Sequence, residues 1–352
     1  MLQSLSPTFN VPANSSRFFL DFSEATSQIH GVVHLGWNQI DGIVVNQDYD
    51  SELIKYDSHY CTSVSAMGDK YTIPTLTYID QVLRFLKKSP SVIDIGCGQG
   101  EFVFTLRDRG ISAIGFDPVL SSSSPFLHSK FYEPSDLTGD LYVMRCVLPH
   151  IQNPWEFLSQ IWMSAPRALV LIEFQRVEWI LEHQIWYQVS HDHVNLFSIN
   201  DFMRRYRVLD SGTFSNGEWG WVLIDSTDFM QTERAIPETY ELSFEELSTS
   251  KESFLNDLVA IDRPIAIWGA AGKGIVLAHS MNFYEKFFVI DVDYHRWGYF
   301  LEGSGVEVLS PSAASSLDKE TLILVCNPNH LWQVRESIGD DFEVTILSRI
   351  FG

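Results

Sequence analysis

The run Ser190-His191-Asp192-His193 sets an imidazole on either side of a carboxylate. Histidine is the side chain whose ordinary pKa best suits proton transfer near neutral pH. In an extended segment His191 and His193 share a face while Asp192 points away, an arrangement a metal can also use. No third ligand stands nearby in the sequence, so the expectation is that no metal is held. The bland alternative is a polar connecting loop. A further histidine, His150, ends Leu148-Pro149-His150, directly after the apolar run Leu141-Tyr142-Val143-Met144. In open α/β sheets ligands lie beyond the carboxyl ends of the strands, which is where a strand's exit loop puts His150.

The second concentration of chemistry is glycine. Ser91-Val92-Ile93-Asp94-Ile95 reads as a buried parallel strand and runs into Gly96-Cys97-Gly98-Gln99-Gly100, after which Glu101 and Phe102 open a helical pattern. Glycine is needed where backbone must come close to a ligand. The third glycine falls one residue earlier than in the Gly-x-Gly-x-x-Gly of dinucleotide sites. A second strand, Ile111-Ser112-Ala113-Ile114-Gly115-Phe116, ends in Asp117, about twenty residues on, where a carboxylate can take both hydroxyls of a ribose. Strand, turn, helix, strand and terminal acid together read as a site for S-adenosylmethionine. The residues expected to border it are Asp94, Gly96, Gly98, Gly100, Phe102, Asp117 and Pro118.

The elements that position these groups follow from the apolar pattern. Residues 1 to about 50 alternate in short runs such as Gly31-Val32-Val33-His34-Leu35 and suggest small antiparallel strands. Tyr56 and Tyr60 precede an amphipathic helix through Tyr78, Val82, Leu83 and Phe85, and are expected beside the cofactor. Ala168-Leu169-Val170-Leu171-Ile172-Glu173-Phe174 is continuously apolar but for one acid, as a central strand should be. A Glu- and Ser-rich stretch over 232–254 reads as linking helix. The chain then begins a second open sheet. Pro264-Ile265-Ala266-Ile267-Trp268 enters Gly269-Ala270-Ala271-Gly272-Lys273-Gly274, a strand-turn-helix able to hold a phosphate on helix-terminal amides with Lys273 as a point charge. The turn lacks the Walker spacing, which argues against an ATPase. Asn327 lies at the exit of the buried strand Thr321-Leu322-Ile323-Leu324-Val325-Cys326.

A chain of 352 residues, 45% hydrophobic, can bury a large core, and the pattern gives an α/β protein of four parts: 1–70, 71–230, a linker over 231–255, and 256–352. No apolar run approaches the roughly 18 residues a membrane span needs, and no basic-then-apolar leader opens the sequence, so no membrane and a cytoplasmic location are expected. Cys61, Cys97, Cys146 and Cys326 are scattered and form no Cys-x-x-Cys pair, which fits reduced thiols rather than disulfides. A net charge of −21 without a basic cluster makes nucleic acid a poor partner and a small-molecule substrate the better one.

The segment 92–100 with Gly115-Phe116-Asp117 resembles the first two motifs of class I methyltransferases. With Leu148-Pro149-His150, residues 190–193, the turn 269–274, Asp291 and Trp297-Gly298-Tyr299-Phe300-Leu301-Glu302-Gly303-Ser304-Gly305, nearly all of 51–352 resembles the sugar C-methyltransferase family. The resemblance implies two Rossmann-like domains, with S-adenosylmethionine in the central one and a nucleotide-linked 4-keto-6-deoxy sugar held between it and the C-terminal domain. It implies a base, His193 or His150 with His193 preferred, that forms an enolate, while Asp192 orients a histidine and Tyr60 donates to the enolate oxygen. His191, Gly272, Lys273 and Asn327 are then expected to meet the substrate. The sequence departs from the family in three places. No cysteine precedes Cys61, so the family's zinc module is expected to be without metal. Tyr-x-Glu-His becomes Ser190-His191-Asp192-His193, and Leu-Glu-His becomes Leu148-Pro149-His150. These changes leave open O- or N-methylation of a small metabolite, and a relative that binds cofactor without turnover.

Overall fold

The computed structural model describes residues 2–61, 68–121, 123–228, 237, 240–282, 284 and 287–346. Its centre is a seven-stranded sheet. The strand Ser91–Ile95 lies in the interior, flanked by Ser112–Phe116 on one side and Leu141–Arg145 on the other, all parallel. Leu127–His128 extends the first side, and Leu169–Gln175 follows on the second. The hairpin Tyr206–Phe214 and Trp219–Asp228 closes the sheet antiparallel. The chain therefore leaves Ser91–Ile95 in one direction and returns on its other side. That switch point opens a crevice at the carboxyl ends, where open α/β sheets bind ligands. The central strands carry apolar side chains on both faces because helices cover both, Gly68–Leu83 and Glu101–Asp108 on one and Pro154–Ser164 on the other.

A second, five-stranded sheet is wholly parallel, with Ile265–Trp268 between Phe287–Ile290 and Leu322–Val325. The helix Tyr240–Val259 precedes it, as the linker pattern implied. The expected small N-terminal strands are present, but they do not form a separate module. Leu35–Asn38 and Ile43–Asn46 belong to a four-stranded sheet completed by Asn195–Leu196, which continues the histidine run. Phe18–Phe19 pairs antiparallel with Phe300–Leu301 of the C-terminal region. One apolar core accordingly runs from Val33, Leu35 and Trp37 through Trp179 and Tyr187 to Ile265, Ile267 and Val289. Among the described residues no helix is long and apolar enough to cross a membrane.

Candidate active site

The turn after Ser91–Ile95 takes its shape from glycine. Gly96, Gly98 and Gly100 all have positive φ, at 70°, 59° and 94°. A Cβ on Gly96 would lie 2.3 Å from Cγ2 of Val147, so the backbone there comes as close to its neighbour as it can. The Gly98 amide donates to Oδ2 of Asp117 at 3.0 Å and the Val119 amide to its Oδ1 at 2.8 Å. The turn and the second strand's acid are thus tied together. Burial pushes the Asp117 carboxyl up against these two amides.

Above the turn lies a cavity of about 380 Å³, lined by Gly96, Gly98, Asp117, Pro118, Tyr56 and Tyr60 among others. Asp94, two residues before Gly96, has no exposure and does not itself line the cavity, and burial pushes its carboxyl up to about 6 although Arg145 opposes the shift. Phe102 and Gly100, also expected at the cofactor, do not line it either. Phe102 is fully buried in the helix core, with the Arg145 guanidinium 4.3 Å above its ring. Gly100 opens the helix and packs on Leu127, whose methyl carbon would lie 2.6 Å from an added Cβ. Phe102 and Gly100 serve packing, the one in the core under the helix and the other against Leu127.

A second cavity of about 350 Å³ lies between the two sheets, lined by residues from the N-terminal segment, the histidine run and the 269–274 turn. Tyr60, Cys146, His150 and Trp219 line both cavities. At this seam Cys146 takes φ of 59°, which is strained for a residue with a side chain. His150 Nδ1 lies 2.8 Å from the main-chain oxygen of Asp192. A carbonyl only accepts, so Nδ1 carries the proton and Nε2 is left as the proton acceptor. The His193 ring stands edge-on to it, 4.6 Å between centroids. Burial, then His150 and Lys273, push the His193 imidazole down to about 4, with Asp192 opposing. Asp192 is held by the Ser15 amide and hydroxyl on Oδ2, at 3.0 and 2.8 Å. Burial raises its carboxyl, and the imidazoles of His193 and His150 overcome this to keep it ionised. Donor atoms of His150, Asp192 and His193 lie within 4.8 Å of one another, so the fold supplies the third potential metal ligand that sequence spacing did not. Burial and the nearby Tyr56, Asp192 and Asp117 hold the Tyr60 hydroxyl protonated, a state in which it can donate.

His191 is corrected from substrate contact to scaffold. It is fully buried, with Nδ1 2.6 Å from the Val32 oxygen and Nε2 3.3 Å from that of Asp50. The turn 269–274 also differs from expectation. Several of its amides bond inside the protein, Gly269 to the Ile290 oxygen, Ala270 to Asp291, Gly272 to the Ser15 oxygen and Gly274 to the Ala271 oxygen. Lys273 and Asn327 both line the cavity, yet Lys273 Nζ donates to Glu218 Oε1 at 2.6 Å and Asn327 Nδ2 donates to both oxygens of the same carboxylate. Burial favours a neutral Glu218, and Lys273 with Asn327 and Asn329 overrides it. This cluster lacks a spare positive charge for a phosphate.

Sequence reasoning missed Arg145, Glu173, Trp219 and Ser15. Arg145 and Glu173 carried a readable signal, a charged residue near the end of an otherwise apolar central strand. Trp219 and Ser15 carried none, since the one follows a hairpin turn and the other an N-terminal loop.

A methyltransferase domain family matches residues 73–207. No curated protein matches the chain significantly. Among solved structures, a protein from Pyrococcus horikoshii OT3 is 15% identical, aligning 49% of this chain with 100% of its own at a TM-score of 0.35. A magnesium protoporphyrin IX methyltransferase from Synechocystis PCC 6803, with bound SAH, is 14% identical over 48% of this chain and 90% of its own, at a TM-score of 0.35.

Proposed function

Taking residues 73–207 as an S-adenosylmethionine-dependent methyltransferase domain, we propose that the chain methylates a small carbonyl-bearing acceptor bound in the cavity between its two large sheets. The observation that carries this reading is the seam. Cofactor and acceptor cavities share Tyr60, Cys146, His150 and Trp219, so a methyl group delivered from one side meets a nucleophile held on the other. Alignment of this kind can contribute more to a bimolecular transfer than general base catalysis does.

In the proposed reaction a histidine removes the proton from the carbon beside the carbonyl, and the Tyr60 hydroxyl donates to the enolate oxygen. The enolate carbon then forms a bond to the sulfonium methyl as the carbon–sulfur bond breaks, leaving a neutral thioether. The proton leaves the imidazolium to solvent. Two facts support His150 as the base in place of the His193 preferred from sequence. Its tautomer is fixed by the Asp192 oxygen and the residue lines both cavities, whereas burial leaves His193 a weak proton acceptor. Buried oxygens of Asn195 and Gln188, both on the acceptor cavity and without a hydrogen-bond partner among the described residues, suit an acceptor rich in hydroxyl groups. A keto-deoxy sugar fits that inventory. Its nucleotide linkage rests on the sequence resemblance alone, because the 269–274 turn has committed its lysine to Glu218 and four of its amides to partners inside the protein.

In the second reading, O- or N-methylation, a histidine of the same cluster takes the hydroxyl or ammonium proton as the methyl is transferred, and no enolate forms. A screen of keto sugars, free and nucleotide-linked, with methyl-labelled cofactor identifies the acceptor. Incubating that acceptor in deuterated water with S-adenosylhomocysteine separates the readings. Exchange at the carbon beside the carbonyl is expected for C-methylation, and turnover without exchange would sink it.

A further inference from the structure

Three charged residues stand in a row at the floor of the cofactor cavity. Arg145 and Glu173 are register partners on adjacent parallel strands, and Asp94 pairs with Val143, two residues before Arg145. Partners in register share a face, and so do residues two apart, so all three side chains rise on the side covered by the helix Gly68–Leu83. All three line or underlie the cofactor cavity, and neither Arg145 nor Glu173 lines the acceptor cavity.

Their internal partners are incomplete. Both oxygens of Asp94 lack a hydrogen bond among the described residues, and so does Nε of Arg145. The nearest approach between the two is 3.7 Å, from Arg145 Nη2 to Asp94 Oδ2. Glu173, 4% exposed, receives two donors on one oxygen only: Thr75 Oγ1 at 2.6 Å and the hydroxyl of Tyr78, whose ring stacks on Trp221 at 4.3 Å. A guanidinium beside two carboxyls, each with unused capacity, is the complement of an α-amino acid, which presents a carboxylate and an ammonium on one carbon.

Resting on the cofactor reading above, we propose that Arg145 and Glu173 form the receptor for the amino-acid end of the cofactor, Arg145 taking its carboxylate and Glu173 its ammonium, and that Glu173 releases a proton to solvent as the ammonium arrives. Burial pushes the empty-site carboxyl of Glu173 up to about 8, with the Thr75 hydroxyl opposing. The charged and titratable groups around it are Arg145 and Cys146 from the neighbouring strand and its exit, Asp94 beyond them and Tyr78 from the covering helix. Across the cavity lie Glu101, Asp117 and His150. On binding, the arriving ammonium favours the ionised form of Glu173, while the arriving carboxylate is taken up by the Arg145 guanidinium.

Calorimetric titration near pH 7 in buffers of different ionisation heat tests this with S-adenosylhomocysteine and with 5′-methylthioadenosine, which keeps the nucleoside and thioether but lacks the amino-acid end. The parent should release close to one proton with the first ligand and none with the second. Glu173→Gln should abolish the release and weaken S-adenosylhomocysteine at least about tenfold, the effect of losing a charge-assisted hydrogen bond. Its affinity for methylthioadenosine should stay within about twofold, which also reports that the variant is folded. Arg145→Gln should weaken S-adenosylhomocysteine similarly and keep the proton release. If Glu173→Gln weakens both ligands alike, or neither, the proposed receptor is wrong. If the parent binds neither ligand, the cofactor assignment itself falls and the receptor with it.

Discussion

The ammonium of Lys273, on the first turn of a C-terminal helix, donates to the carboxylate of Glu218, in the hairpin that closes the central sheet, at 2.6 Å. The pair joins the two sheets from inside, with Glu218 1% and Lys273 9% exposed. Breaking a buried pair leaves an uncompensated charge, so Lys273→Ala should cost about 3–5 kcal/mol of stability, read as a lowered Tm. Glu218→Gln in the same chain should restore much of it. A Lys273→Ala protein that melts like its parent but binds acceptor more weakly would return the lysine to the role expected from sequence.

The two histidines at the seam should separate in a turnover assay. His150→Asn is expected to lower turnover by roughly 10²-fold or more with cofactor binding intact, because a lost general base acts mainly in the transition state. His193→Asn is expected to lose less. The reverse order would make His193 the base, and full activity in both would remove proton transfer at this cluster from the mechanism.

Asp117→Ala should weaken both S-adenosylmethionine and its demethylated product by about tenfold, since it removes an acceptor for the ribose and frees the Gly98 amide. Calorimetry decides, and unchanged affinity would contradict the cofactor site.

Turnover should survive a strong chelator. The cluster of His150, Asp192 and His193 can offer three donor atoms to a metal, but in the proposed reaction it handles a proton. Activity lost to the chelator and restored by one divalent cation would give the cluster the other role.

In the absence of cofactor, stability should fall as the solution becomes more alkaline. The Glu173 carboxyl rises from 4.5 to about 8 on folding, so the folded chain holds a proton that the unfolded chain loses. The stabilisation is complete below the unfolded value and is lost as pH rises through the folded one, at up to about 1.4 kcal/mol per pH unit between them. Thermal melts from pH 5 to 9 should show a shallower decline for Glu173→Gln. An equal slope in both proteins would place the titrating group elsewhere.

The strands, the glycine turn and the acid at Asp117 could be read from sequence because each depends on residues close together along the chain. Apolar runs name the buried strands, and a positive φ names its glycine. What escaped depends on contacts distant in sequence. Nothing near His191 says that its ring would be enclosed by the main chain at Val32 and Asp50, over 140 residues away. Phe102 has the position of a cofactor neighbour and the environment of a core residue, a distinction only packing makes. Lys273 looked available for an anion because Glu218 is 55 residues upstream and belongs to the other sheet.

The pairing of Phe18–Phe19 with Phe300–Leu301 has a consequence for synthesis and for motion. Phe18–Phe19 must wait for partners made far later along the chain, so the contacts that tie the N-terminal strands to the second sheet form only after most of the described residues have been made. Once formed, the same pairing works as a seam stitched across both halves. A wide hinge opening would tear the backbone pairing at Phe18–Phe19 as well as part the two sheets, a cost that smaller movements of the cavity walls avoid.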